Sequence, residues 1–329
     1  MAADRTNGVV TGMSWPRSTV ASLISRAAPA LIRLGGRQLR ILNYHRILEP
    51  PADFLLDADV VSATPEVFDA EMAFCKRHFD IVSCDDVAAA LDDGPRLPRR
   101  PLVVTFDDGY RDNYEQAFPI LRRHGLTATF CIAVDYADSD RLFWWDQVAC
   151  SVHLNDAHLP RATRLATIRR VLRTLKAMPD GERLAEVTEY AARIPAATAQ
   201  AIGRQTMTWD EIRALVAGGM TIASHSMSHP ILSRVDDPRA LDHELRESKR
   251  VLERETGRPV AVFSYPVGGA GAINDIVRGR VEAAGYRFAL SYVNGFNDTG
   301  AAADRFGLRR LHVDGLNLRQ FRRQLAWAG

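Results

Sequence analysis

The feature that most limits how this chain can fold is the alternation of short β-rich runs with longer segments of helical spacing. Three of those longer segments end at glycines that can terminate a helix, namely Gly125, Gly218 and Gly257. Strands that alternate with crossover helices favour parallel pairing, so the sequence predicts an α/β fold. The runs are RILNYH (40–45), LVVTF (102–106), TATFCIAV (127–134), MTIASHS (220–226), AVFSYP (261–266), RFALSYV (287–293) and LRRLHV (308–313).

Residues 151–205 interrupt this alternation. The segment is rich in Ala, Arg, Leu and Thr, keeps helical spacing and contains no β-rich run. Its composition never becomes that of a polar linker. We therefore interpret it as a helical insertion between two strands that covers one rim of the domain.

Composition and charge are those of an ordinary folded enzyme, with 47% hydrophobic and 25% charged residues. The net charge of +2 gives no support for a nucleic-acid partner. The cysteines show no CxxC spacing, and we interpret them as small apolar core residues, which favours a reducing compartment. They are Cys75, Cys84, Cys131 and Cys150.

The N-terminal residues 1–38 form a separate amphipathic segment in this interpretation, and residues 39–329 form the main domain. The first 46 residues carry seven arginines and one acid, Asp4. Arg26, Pro29 and Arg33 interrupt the apolar run, so we expect neither a signal peptide nor a transmembrane helix. The sequence thus predicts a cytoplasmic protein whose N-terminal segment packs on the domain or, as an alternative, contacts a membrane surface.

Two adjacent carboxylates, Asp107 and Asp108, follow the apolar strand of VVTFDDGYRDN (103–113). They repel each other and are costly to desolvate, so a specific role is expected. If a cation neutralises one carboxylate, the other can stay ionised as a proton acceptor. Gly109 would allow the turn that brings both side chains to the rim. The alternative is an Asp-Asp-Gly turn that caps the following helix.

Two histidines, His225 and His229, occur in SHSMSHP. A spacing of four would place them close enough to share one metal ion if the segment forms a helical turn, which Pro230 should end. In a parallel barrel the C-terminal strand ends meet at one face, where the paired aspartates should also lie. The alternative is two surface histidines in a polar loop.

Three short stretches together resemble the first motifs of the polysaccharide deacetylases, the NodB-homology group or carbohydrate esterase family 4. They are TFDDGY (105–110), HSMSH (225–229) and FSYPVGG (263–269). The resemblance runs from about residue 40 to about residue 315. It implies a distorted (β/α)7 barrel of the NodB-homology type, interrupted by the helical insertion.

The same resemblance assigns roles to individual residues. Asp107 would be the general base, and Asp108, His225 and His229 would bind one divalent ion, zinc first and cobalt, nickel or manganese as alternatives. Tyr265 would supply a backbone N–H for the developing oxyanion. These roles imply removal of N-acetyl groups from amino sugars of a polysaccharide, oligosaccharide or glycolipid.

One position departs from the family pattern, because Ser264 stands where many members have an arginine that orients the base. Arg309 or Arg310, in the last β-rich run, could replace it. The general acid is also open. The usual family order favours His312, but NYH at 43–45 resembles the biofilm-polysaccharide deacetylases, which places His45 first.

Two tryptophans in FWWDQ (143–147), Trp144 and Trp145, could line a sugar groove or belong to the core, and core packing is favoured. Competing functions are a non-catalytic carbohydrate-binding relative of the deacetylases and a non-haem iron site of two histidines and a carboxylate. The adjacent second aspartate fits the iron site poorly.

Overall fold

The computed structural model describes residues 38–298, 303–313, 315 and 317–326. The predicted N-terminal amphipathic segment therefore lies almost entirely outside the described residues. The strands are β1 (Arg40–Tyr44), β2 (Arg46–Ile47), β3 (Val61–Ala63), β4 (Asp80–Ile81), β5 (Pro101–Phe106), β6 (Thr129–Ile132), β7 (Thr221–Ser224), β8 (Val262–Ser264), β9 (Phe288–Leu290) and β10 (Leu311–His312).

The α-helices are numbered here in chain order. They are α1 (Pro65–His78), α2 (Cys84–Leu91), α3 (Phe118–His124), α4 (Trp144–Asn155), α5 (Arg161–Ala177), α6 (Asp180–Ala191), α7 (Ala196–Ile202), α8 (Trp209–Ala217), α9 (Pro238–Thr256), α10 (Asp275–Ala283) and α11 (Leu318–Ala326). None of these described helices is long and apolar enough to cross a membrane.

The main sheet is parallel throughout and follows the order β10-β1-β5-β6-β7-β8-β9, with β4 beside the start of β5. Residues 308–312 close it, because Leu308 bridges Leu290 at the end of β9 before β10 pairs with β1. Each of the seven β-rich runs contains one strand of this closed sheet. The predicted distorted (β/α)7 barrel is thereby confirmed.

The strands are buried on both faces, as crossover helices require. In β5 every residue is buried. Leu102, Val104 and Phe106 join the cluster between sheet and helices, whereas Val103 joins a smaller cluster with Ile41 inside the barrel. All four cysteines are buried and free, which confirms their interpretation as core residues.

Helices α4–α7 lie between the neighbouring strands β6 and β7. The helical run begins at Trp144, before the predicted start of the insertion, and the exact domain boundaries stay a prediction. Apolar residues of α4, α5 and α6 pack with Tyr110, next to the paired aspartates, in a cluster of their own. The insertion is therefore anchored at the C-terminal end of the barrel.

A buried acid, Glu71 on α1, has a strongly perturbed pKa. The Tyr44 hydroxyl donates to its Oε2 at 2.8 Å, and its Oε1 has no hydrogen-bond partner among the described residues. Burial raises the pKa of Glu71 to about 8. The side chain is thus a neutral carboxylic acid in the folded protein near pH 7.

We predict that Glu71→Gln changes how stability depends on pH. The folded pKa lies above the unfolded one, so the contribution of Glu71 is complete below about pH 4.3 and is lost as the pH rises towards 8. Urea unfolding of the variant should therefore gain a few kcal/mol relative to the wild type between pH 5 and pH 8. Glu66→Gln, an exposed change on the same helix, should show no such gain, and parallel pH profiles for wild type and Glu71→Gln would contradict the prediction.

Candidate active site

Polar residues that follow β5, β7 and β8 meet at one end of the barrel, as the parallel topology requires. They line a cleft with a cavity of about 290 Å³. The residues that line the cleft include His45, Asp57, Asp59, Asp107, Asp108, Trp144, Trp145, Arg169, Leu172, Arg173, Lys176, His225, His229, Tyr265, Val267 and Tyr292.

Three buried side chains in the cleft converge on one point. Their ligand atoms, from Asp108, His225 and His229, all lie within 4.8 Å of one another. Asp108 Oδ1 is 3.3 Å from His225 Nε2 and 3.4 Å from His229 Nε2. Ligands about 2.0–2.1 Å from a tetrahedral ion stand about 3.3 Å apart, so this spacing fits a bound divalent ion.

The protonation states also suit metal ligands. His225 Nδ1 lies 2.8 Å from the Ser264 carbonyl oxygen, which can only accept, so Nδ1 is the donor there and Nε2 faces Asp108. Burial lowers the pKa of His229 to about 4, against the opposing effect of Asp108. Burial alone would raise the pKa of Asp108, but the two histidines outweigh it and hold that pKa well below its usual range. Two imidazoles and one carboxylate are a donor set that zinc accepts.

The backbone of the site is unusual. Asp108 and His229 are not glycines, yet they have φ angles of 74° and 58°, and Ser226 has 67°. Such conformations cost free energy and persist only where the surroundings enforce them. Gly109, with φ of 82°, continues the turn after the aspartates as expected.

The segment 225–229 is an irregular loop, so the expectation of a helical turn is wrong. Side-chain hydrogen bonds replace the helical ones. The His229 N–H donates to Ser226 Oγ at 3.1 Å, and the N–H groups of Met227 and Ser228 both donate to the Glu244 carboxylate at 2.9 Å. Glu244 lies on α9 and looks in sequence like any other charged helix residue.

Asp107 is held by a buried ion pair. Both terminal nitrogens of Arg310 donate to its carboxylate at 2.8 Å, and Ser264 Oγ donates to Oδ1 at 3.1 Å. Burial would raise the pKa of Asp107, but the Arg310 guanidinium, then His225, reverse this and hold the pKa well below its usual range. Of the two arginines considered from sequence, Arg310 is the one that orients Asp107.

The two candidate acid histidines lie in different places. His45 lines the cleft and is close enough to Asp107 and Asp108 for its charge to affect both. His312 stacks on Tyr292, with ring centroids 3.5 Å apart, and Tyr292 in turn lines the cleft. His312 therefore lies behind the cleft wall.

Tyr265 does not have a free backbone N–H, so its predicted role as oxyanion donor is wrong. That N–H donates to the Leu290 carbonyl at 3.0 Å, because the sheet ladder extends one residue beyond β8. Pro266 has no N–H, so the next backbone donor is that of Val267. Val267 lines the cleft with a φ of 61°, and its N–H has no acceptor among the described residues.

Trp144 and Trp145 pack in the core and also line the cleft. Each is over 90% buried and each lines the cleft. Trp145 Nε1 donates to the Tyr110 hydroxyl at 2.9 Å, and its ring centroid is 4.7 Å from that of His229. The tryptophans therefore form a rigid wall beside the predicted metal ligands.

Comparisons with known proteins agree with this geometry. The family model described as polysaccharide deacetylase matches residues 94–289. The Bacillus subtilis (strain 168) protein YxkH, which carries a provisional assignment as a polysaccharide deacetylase, is 19% identical over 277 residues, 84% of this chain and 70% of its own.

Two solved structures share the fold. The structure of IcaB from Ammonifex degensii aligns with a TM-score of 0.61 and 16% identity, covering 89% of this chain and 97% of that one. The Streptococcus pyogenes deacetylase PplD, in complex with acetate, aligns with a TM-score of 0.58 and 17% identity over 84% and 92%. Because the family model spans more than half of its residues, this chain belongs to the polysaccharide deacetylase family.

Proposed function

We propose that this protein is a divalent-metal-dependent hydrolase that removes N-acetyl groups from amino sugars of a polysaccharide, oligosaccharide or glycolipid. One observation carries the proposal: the Asp107 carboxylate, paired with Arg310, faces the same cleft as the three converging ligand atoms. Family membership supports the deacetylase chemistry. The alternative is a non-catalytic relative that only binds carbohydrate, and metal-dependent release of acetate distinguishes the two.

In this proposal Asp108, His225 and His229 hold the ion, with zinc first and cobalt, nickel or manganese as alternatives. Such an ion, when bound, supplies Lewis-acid activation of water and of the acetyl carbonyl. Three protein ligands are the number that catalytic zinc sites use, so an ion held by these residues could also take up water or substrate. The tryptophan wall keeps bulk water from that side of the ligands.

The remaining groups handle protons. Asp107 accepts a proton from the attacking water as oxygen bonds to the acetyl carbon, and Arg310 keeps both carboxylate oxygens fixed for this step. His45 donates a proton to the amine nitrogen as the carbon–nitrogen bond breaks, which leaves acetate and a free amino sugar. The Val267 N–H is the proposed donor to the oxyanion, in place of that of Tyr265.

We predict that the zinc-loaded protein releases acetate from N-acetylated amino-sugar oligomers or glycolipids and that a chelator stops the release until zinc is restored. His225→Ala and His229→Ala should each lose most of the metal, measured by elemental analysis, and all measurable activity. His243→Ala, an exposed change on α9, should keep both. Undiminished acetate release after complete metal removal would contradict the metal dependence.

Asp107→Asn should keep the metal but lower turnover by about 10²–10⁴-fold, because the amide cannot accept the proton. The change also leaves Arg310 buried without its counter-ion, so the variant should unfold at a lower temperature. The double variant Asp107→Asn/Arg310→Gln removes that unpaired charge and serves as the stability control. Near-normal turnover by Asp107→Asn would rule out the base assignment.

His45→Ala should lower turnover by about 10²–10⁴-fold with metal content unchanged, since alanine cannot protonate the leaving amine. His312→Ala is the matched comparison, because this ring lies behind Tyr292 rather than in the cleft. Loss of turnover confined to His312→Ala would reverse the assignment. Full activity in both variants would assign the proton to another donor.

A further inference from the structure

All charged residues of helix α5, which belongs to the insertion, are basic. It carries six cations and no acid. Three of the cations, Arg169, Arg173 and Lys176, recur at spacings of four and three and line the cleft together with Leu172. The insertion therefore places a positively charged wall beside the predicted metal ligands.

Most cations of α5 that have protein partners lie away from this wall. Arg161 donates to the Ala52 carbonyl, and Arg164 to the His153 carbonyl. Within the wall, Arg169 is held by Asp59 through two hydrogen bonds of 2.6 and 2.7 Å. Its charge is thereby balanced.

Arg173 and Lys176 differ from these residues. Neither has a carboxylate within 4 Å among the described residues, and both are exposed to the open cleft. Asp57, Asp59 and Asp108 are close enough to Lys176 for their charges to interact, but none of them forms an ion pair with it. Two cations without a direct ion pair therefore stand on this wall of the cleft, and Lys176 interacts with carboxylates only at longer range.

The proposed reaction does not require that charge, because an acetamide is neutral and Asp107 already has Arg310. We propose that Arg173 and Lys176 bind an anionic group of the substrate, carried on or next to the acetamido sugar. The inference rests on the proposed function and names the substrate class for the same cleft. Phosphate esters and uronate carboxylates share the required chemistry, since both accept paired hydrogen bonds from a guanidinium.

The spacing suits one shared anion. Residues three apart on a helix are separated by about 4.5 Å along its axis, so both long side chains can reach the same group. Lys176 is also close enough to Asp108 for their charges to interact. Because both cations line the same cleft as Asp108, the anion would lie on the acetamido sugar or on a neighbouring one.

Three probes test this inference: N-acetylglucosamine 1-phosphate, a disaccharide of N-acetylglucosamine and glucuronic acid, and the neutral methyl glycoside of N-acetylglucosamine. We expect the zinc-loaded wild type to show about 10-fold higher kcat/KM for at least one anionic probe than for the neutral one. The anionic probe that the wild type prefers shows whether the substrate anion is a phosphate ester or a uronate carboxylate. The preference should shrink as salt is added, because the wall is exposed.

The variant Arg173→Gln/Lys176→Gln should lose this preference while its kcat/KM for the neutral probe stays within about twofold of wild type. Arg170→Gln, an exposed cation on α5 outside the cleft, should retain the preference. If Arg173→Gln/Lys176→Gln preferred the anionic probe as strongly as the wild type does, the inference would be overturned. The anion would then be held elsewhere, for instance at the predicted metal ligands.

Binding measured by calorimetry separates this inference from the proposed function. Absence of acetate release from every probe would contradict the deacetylase proposal alone. Tighter binding of an anionic probe that is lost only in Arg173→Gln/Lys176→Gln would still support the anion wall. Equal affinity of the wild type for charged and neutral probes would refute it whatever the turnover.

Discussion

The ion pair between Asp107 and Arg310 is the interaction on which the rest of the site depends. Both partners are almost completely buried, and each would be costly to bury alone. Asp107 follows β5, near the middle of the sheet, whereas Arg310 belongs to the segment that closes the barrel between β9 and β1. The buried carboxylate of Asp107 therefore gains the partner that stabilises its charge only when the barrel closes.

Ser264 connects this pair to the predicted metal ligands. Its hydroxyl donates to Asp107, and its carbonyl accepts from His225 Nδ1. One residue thus helps to orient both the proposed base and a predicted metal ligand. In sequence, Ser264 occupies the position where many family members have an arginine. In the structure, the guanidinium of Arg310 reaches Asp107 from another strand, and Ser264 contacts both Asp107 and His225.

The seven strands and the converging Asp and His side chains could be predicted from sequence, since burial and strand-end polarity leave clear local patterns. The errors have physical causes. The loop 225–229 follows side-chain hydrogen bonds to Ser226 and Glu244 rather than its helical spacing, and Tyr265 stays in the sheet ladder one residue longer than its motif implies. Which of Arg309 and Arg310 contacts Asp107 depends on strand register, which the sequence does not show. The cations of α5 resemble an ordinary solvated helix face until the position of the helix beside the cleft is known.

The position of Arg310 in the chain has a consequence for biosynthesis. During translation the β5 strand and Asp107 emerge some two hundred residues before their counter-ion. Until residues 308–312 join, the sheet has two open edges and the carboxylate must stay hydrated or protonated. A nascent chain that has all the predicted metal ligands is therefore not yet an assembled site, because Asp107 lacks its counter-ion until residues 308–312 have left the ribosome.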